Sequence, residues 1–225
     1  MEFSGPVVVA RIRPVERVAL LLVHIHYAMY RLAIFASGSG SNARKIMEHF
    51  ADGTTARVVL VVTNRKEAGV IDHADRMGVE WTYLPKDVFQ HEGDKVLEIL
   101  EEHKVDFVIL AGFLLLMPKC VVKKFSGRMV NIHPALLPDF GGPGMYGDRV
   151  HAAVLESGSR RSGITIHYVD EHYDRGDILF SAEVEIPENE TVEGLRTRVQ
   201  KLEHAHYAHV IEDLLKKMGK KKEEI

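Results

Sequence analysis

The sequence predicts an α/β protein: a mostly parallel sheet with helices on both faces, and antiparallel strands added in the C-terminal part. Three observations predict it. Continuous apolar runs recur at Leu32–Ala36, Val58–Val62 and Phe107–Leu110, and a strand that is apolar throughout is one covered on both faces. Between them lie stretches with apolar residues at helical spacing, which are the crossovers that parallel strands need. Beyond about residue 160 the runs alternate apolar and polar, the period of a half-covered strand.

The elements follow in order. Leu32-Ala33-Ile34-Phe35-Ala36 reads as a buried strand and Ser37-Gly38-Ser39-Gly40-Ser41 as a tight loop, after which Asn42 opens a helix through Ile46 and Phe50. Val58–Val62 is a second strand, ended by polar Thr63, Asn64 and Arg65. Ile71 to Met77 has helical spacing and is closed by Gly78, a residue free to take the left-handed turn that ends helices. Trp81–Leu84 makes a short strand before Pro85, and Val96, Leu97, Ile99 and Leu100 form one face of a helix. Phe107–Leu110 and then Met129-Val130 return to strand, the latter running to Asn131 and His133 before Pro134, which has no N–H for the ladder, stops it. A loop holds Gly141-Gly142-Pro143-Gly144, a helix runs from Arg149 to Leu155, and Ile164–Val169 and Ile178–Val184 alternate as antiparallel strands. A final helix runs from Val192 to about Lys217. No repeat, long linker or composition break appears, so one domain is expected over 31–217, with an N-terminal extension at 1–30 and a charged tail at 218–225.

Bulk properties narrow the function. Of 225 residues, 46% are apolar and 27% charged, ordinary for a globular chain. A formal charge of −3 gives no basic face for nucleic acid. The lysines from Lys216 to Lys222 are followed by Glu223 and Glu224 and read as a solvated helix end. The single cysteine, Cys120, excludes an internal disulfide and a cysteine metal cluster and fits a reducing, cytoplasmic setting. The apolar run Val18–Val23 follows three arginines, but it is short, is broken by His24 and His26, and lacks a small-residue cleavage site. It also falls far short of the ~20 residues of a membrane span. Met29, two residues before the first strand, is the expected true start.

Two stretches carry chemistry. On a strand, residues two apart face the same way, so the Asn131 carboxamide and the His133 imidazole project together at the strand's carboxyl end, where open α/β sheets hold their ligands. An amide donor beside an imidazole suits stabilising an oxyanion and moving a proton in acyl transfer. The Gly38–Asn42 loop joins a strand to a helix N-terminus, whose unpaired N–H groups and positive dipole end suit a phosphate. With Ala43 it spells the dinucleotide fingerprint of a Rossmann-like sheet, but Thr63, Asn64 and Arg65 stand where that reading expects an acid for a ribose. A phosphate monoester is therefore expected rather than a dinucleotide. Asp174, in a loop before Gly176, is a carboxylate able to pair with His133 and raise its pKa, keeping it protonated.

Taken in order, Ser37 to Asn42, Ala111-Gly112-Phe113, Asn131 to Pro138, Gly163 to His167, Asp174-x-Gly176 and Gln200-x-x-Glu203-His204 resemble the phosphoribosylglycinamide formyltransferase family over about Arg31 to Leu215. The resemblance implies transfer of a formyl group from 10-formyltetrahydrofolate, as co-substrate, to the amine of glycinamide ribonucleotide (GAR) in purine synthesis. It implies Asn131, His133 and Asp174 as the catalytic trio. Gly40, Ser41, Asn42, Gln200, Lys201, Leu202 and Glu203 would hold the ribonucleotide. Leu114, Leu115, Leu116, Met117, Asn131, Asp170, Glu171, His172, Tyr173 and Asp174 would line the folate site. Two departures stand out: Leu115 replaces a frequent arginine, and Asp139 to Gly147 replaces a histidine-rich loop, so no contacts carry over there.

Other readings fit less well. The methionyl-tRNA formyltransferase and the formyltetrahydrofolate deformylase would each need a further domain, for which neither end has room. A nucleotide-binding module without turnover would not need the trio. A metal enzyme is suggested by 13 histidines and by His204-x-His206-x-x-His209. Helix positions two apart do not share a face, and only His206 and His209 could converge, so no metal is assigned. The expected partners are the two small molecules, with neither nucleic acid nor membrane.

Overall fold

From Leu32 onward every residue of β1 (Tyr30–Phe35) is buried, and its side chains go alternately to two separate cores. Leu32 and Ile34 face one core and Ala33 and Phe35 the other, the period of two that puts apolar residues at consecutive positions of a central strand. The computed structural model describes residues 29–223. Around β1 stand β2 (Ala56–Thr63), β3 (Trp81–Tyr83), β4 (Phe107–Leu110), β5 (Met129–His133), β6 (Arg161–Tyr168) and β7 (Ile178–Glu185), in the order β3-β2-β1-β4-β5-β6-β7. The first five are parallel, and β6 and β7 are antiparallel to their neighbours, as the change from continuous to alternating runs predicts.

One face is covered by α1 (Ser41–His49), α2 (Val70–Met77), α6 (Asp148–Glu156) and α7 (Val192–Glu223), through Ile46, Val70, Val150, Leu195 and Ile211 among others. The other face is covered by α3 (Lys86–His91), α4 (Gly93–Glu102) and α5 (Lys119–Lys124), through Phe89, Leu100 and Val121. The chain leaves β1 towards β2 and β3 and then crosses back to β4 on β1's other side. That reversal of strand order opens a crevice at the carboxyl ends, the usual ligand position in such sheets.

The structure adds two elements that the sequence pattern did not. Helices α3 and α5 have six residues each, less than two turns, too few to show a period. Helix α7 also runs on to Glu223, past the expected boundary at Lys217, because lysine and glutamate favour helix as well as leucine does. The expected N-terminal extension, with Val18–Val23, lies up to Ala28 outside the described residues. Among the described residues no helix is long and apolar enough to cross a membrane.

Candidate active site

The antiparallel join of β5 to β6 assembles the first half of the site. Asn131 pairs with His167 and His133 with Thr165, so these four side chains share one face at the strand ends. Asn131 Nδ2–H donates to His167 Nε2 at 3.2 Å, and His167 Nδ1–H donates to the Tyr168 carbonyl at 2.7 Å, which fixes that ring's tautomer. Thr165 Oγ1 accepts from Leu137 N–H at 3.0 Å and donates to the Ala135 carbonyl at 2.8 Å, holding the turn after Pro134.

Asp174 completes the cluster from the loop between β6 and β7. Its backbone sits at φ 55, the left-handed region that asparagine and aspartate tolerate best among residues with a Cβ. The loop can pass β6 only because residue 176 is glycine: a Cβ there would lie 1.8 Å from the Tyr168 carbonyl oxygen. Asp174 Oδ2 stands 3.6 Å from His133 Nδ1 and accepts from Gly142 N–H at 2.9 Å. Its Oδ1 lies 3.5 Å from Asn131 Nδ2 and 3.6 Å from His167 Nε2. One carboxylate thus faces all three other polar groups. The Phe140 carbonyl, on a residue also at positive φ (56), accepts from His133 Nε2–H at 2.8 Å.

Burial sets the charge states. It pushes the His133 pKa below its ordinary 6.5, outweighing Asp174 and the Phe140 carbonyl, which act to raise it. The expectation that Asp174 keeps His133 protonated is therefore corrected: the imidazole lies almost wholly out of water, and a carboxylate 3.6 Å away does not offset that. Burial would also raise Asp174. Its contacts with His167, His133 and the Gly142 N–H lower it by more, so it remains a carboxylate.

The second half lies at the start of α1. Gly40 takes φ 75, and a Cβ on it would fall 2.6 Å from Val70 Cα, so only glycine lets α1 begin here. Facing that N-terminus, α7 supplies Gln200, whose Nε2–H donates to Ser41 Oγ at 3.1 Å, and Glu203, which accepts from Asn42 Nδ2–H at 2.9 Å. Burial raises the Glu203 carboxyl to about 7, against the lowering effect of Asn42. Asn42 Oδ1 is buried with no hydrogen-bond partner among the described residues. Ser37 ties the neighbouring loops together, donating to Asn64 Oδ1 at 2.6 Å and accepting from Leu114 N–H at 3.0 Å.

Both halves open into one cavity of about 440 Å³, within the range of small-molecule sites. Asn131, His133 and Asp174 line it, as do Asn42, Gln200 and Glu203, all four residues from Leu114 to Met117, and Asp170, His172 and Tyr173. Gly40 and Ser41, between Ser39 and Asn42 of the lining, do not themselves line it. Three expected residues are elsewhere. Lys201 and Leu202 follow Gln200 at roughly 100° steps around the helix and turn away, whereas Glu203 returns to the same face. Glu171 instead pairs with Lys119 at 3.1 Å. His167, which lies in one of the quoted motifs, and His151 and Arg196 also line the cavity, with no role expected of them from the sequence; Arg65 lines it too. The loop from Asp139 to Gly147, for which the sequence predicts no contacts, touches the trio through the backbone of Phe140 and Gly142. A backbone contact leaves no residue-type signal.

The formyl transferase family model matches residues 30–211. Phosphoribosylglycinamide formyltransferase of Bacillus subtilis is 35% identical over 191 residues, covering 83% of this chain and 95% of its own. The chloroplastic phosphoribosylglycinamide formyltransferase of Arabidopsis thaliana is 46% identical over 186 residues, covering 80% of this chain. The chain spans only 64% of that relative's length and 60% of its Vigna unguiculata counterpart. The solved glycinamide ribonucleotide transformylase 1 of Symbiobacterium toebii superposes with TM-score 0.78 at 31% identity, over 84% of this chain and 89% of that one. With the family model matched from β1 well into α7 and the bacterial relative covered almost end to end, the chain belongs to the formyl transferase family.

Proposed function

We propose that this protein transfers the formyl group of 10-formyltetrahydrofolate to the amine of GAR, giving formyl-GAR and tetrahydrofolate in purine (IMP) biosynthesis. One observation carries the reading: a single cavity joins an anion-suited helix N-terminus at α1 to the Asn131–His133–Asp174 cluster. In this reading the GAR phosphate meets the N–H groups at Gly40–Asn42, its ribose hydroxyls meet Glu203, and its amine reaches the cluster. The wall from Leu114 to Met117, with Val169 and the Asp170–Asp174 loop, is apolar on one side and polar on the other, which fits a flat heteroaromatic ring with amide edges.

The chain's own groups then divide the work. The folate supplies the formyl carbon and the leaving nitrogen. The GAR amine adds to that carbon, a C–N bond forms, and the carbonyl electron pair moves onto oxygen, where Asn131 Nδ2–H is the donor within reach. His133 arrives neutral, its Nε2–H engaged by Phe140 and its lone pair at Nδ1, and takes the proton released by the attacking nitrogen. The resulting imidazolium is steadied by Asp174 and faces the oxyanion. As the carbonyl re-forms, the bond to the folate nitrogen breaks and His133 returns its proton to that nitrogen. One proton has moved from GAR to folate. Cytoplasmic residence belongs to the same proposal and rests on the single cysteine.

The test supplies both substrates to the purified chain and omits each in turn, following formyl-GAR and formate separately. Product that requires both substrates is expected. Formate released at the same rate without GAR would assign a hydrolase instead.

A further inference from the structure

Helix α1 ends in His49, and α7 passes that end with His209 and Glu212, three apart and so on one face. His49 Nε2 lies 3.0 Å from Glu212 Oε2, and the rings of His49 and His209 lie 4.7 Å apart at 84°. Each of the three residues offers one ligand atom, and these atoms all lie within 4.8 Å of one another. We propose that His49, His209 and Glu212 bind a divalent transition ion of the zinc class, clamping the C-terminal end of α1 to α7.

The donor set is the first reason. Two imidazoles and one carboxylate suit zinc, cobalt or nickel, whereas magnesium and calcium call for oxygen ligands. Orientation is the second. Glu212 Oε1 is held by Lys216 Nζ at 2.8 Å and by Thr55 Oγ1 at 3.3 Å, which leaves Oε2 turned to the imidazoles, and such outer partners are what aim a ligating carboxylate. Access is the third: His209 is exposed and His49 and Glu212 are about one-fifth exposed, so an ion can enter and water can complete its shell. Closure is short. Ligand atoms on one tetrahedral zinc lie about 3.3 Å apart, so side-chain rotation alone brings the set together.

The site is separate from the cavity and joins the same two helices that bring Asn42 to Glu203. It is also not the convergence considered from the sequence. His206 lies against the Phe180 ring at 4.9 Å, while His209 turns to α1, so these two do not meet on one ion.

The experiment titrates the metal-stripped full chain with Zn²⁺ and with Co²⁺, by calorimetry and by the visible absorption of bound Co²⁺, beside His49→Ala, His209→Ala and Glu212→Gln. The wild type is expected to show one tight site that weakens at least about tenfold in each variant. Its Tm should rise with Zn²⁺, not with Mg²⁺, and the rise should vanish in the variants. His209→Ala removes an exposed ring, so its fold is retained and its result stands even if the others fold poorly. Zn²⁺ affinity unchanged in the variants would assign the ion to other histidines and overturn the proposal. So would the absence of wild-type binding at about 100 µM.

Discussion

Asp174 brings together groups that the sequence holds far apart, and its environment dictates what its loss should do. The carboxylate is the common neighbour of Asn131, His133, His167 and the Gly142 N–H. Asp174→Asn keeps the shape and removes the charge that steadies the imidazolium, so kcat is expected to fall about a hundredfold or more while the fold persists. Asn131→Ala removes the amide donor and should act alike, with circular dichroism unchanged and single-turnover rates lost. Retention of most turnover in either variant would refute the roles given. The titration of His133 supplies a sharper check. Its pKa lies below 6.5 because burial outweighs Asp174, and removing the carboxylate takes away an effect that raises it. NMR titration should therefore find the His133 midpoint below 6.5 in the wild type and lower still in Asp174→Asn.

At the scale of elements, two contacts hold the site's walls in place. Helix α1 starts where it does because Gly40 accepts φ 75 and leaves Val70 room. Gly40→Ala imposes both a left-handed backbone on a residue with a Cβ and a 2.6 Å approach to Val70. A loss of about 1–3 kcal/mol is expected, with a higher KM for the phosphate-bearing substrate, measured by denaturant unfolding and initial rates. Helix α7 is pinned from beneath. The fully buried Tyr207 hydroxyl donates to the Leu110 carbonyl at 2.9 Å and lies 3.3 Å from that of Val130, across β4 and β5. Tyr207→Phe keeps the ring and removes this buried hydrogen bond while the carbonyls keep their partners in the β4–β5 ladder, at an expected cost of about 0.5–1.5 kcal/mol in urea unfolding. The face of α7 also explains why Gln200 and Glu203 reach the cavity while Lys201 and Leu202 do not. Helical spacing separates these pairs, but a motif matched as a run of neighbouring positions does not.

At the scale of the molecule, stability itself is linked to the site through Glu203. Its carboxyl titrates at about 7 in the fold against an ordinary 4.5, so the folded chain holds that proton more tightly than the unfolded one. The stabilisation is fully present below pH 4.5 and is lost as pH rises through about 7. Urea midpoints measured across that window should fall with pH, and Glu203→Gln should flatten the fall. The sheet around this site was largely legible beforehand: β4 matches its apolar run residue for residue, and the cores on either side of β1 follow from its lack of polar positions. The short helices α3 and α5 were not, because six residues carry no period. By itself the sequence determined the α/β class, the parallel-to-antiparallel change and the phosphate-suited turn, and it presented Asn131 and His133 on one face, since each is a property of nearby residues and their spacing. Only the tertiary structure decided that His167 stands across from Asn131, that the Phe140 and Gly142 backbone closes on the trio, and that burial lowers the His133 pKa. Strand register, loop closure and exclusion of water arise between segments distant in the chain, and a linear pattern does not record them.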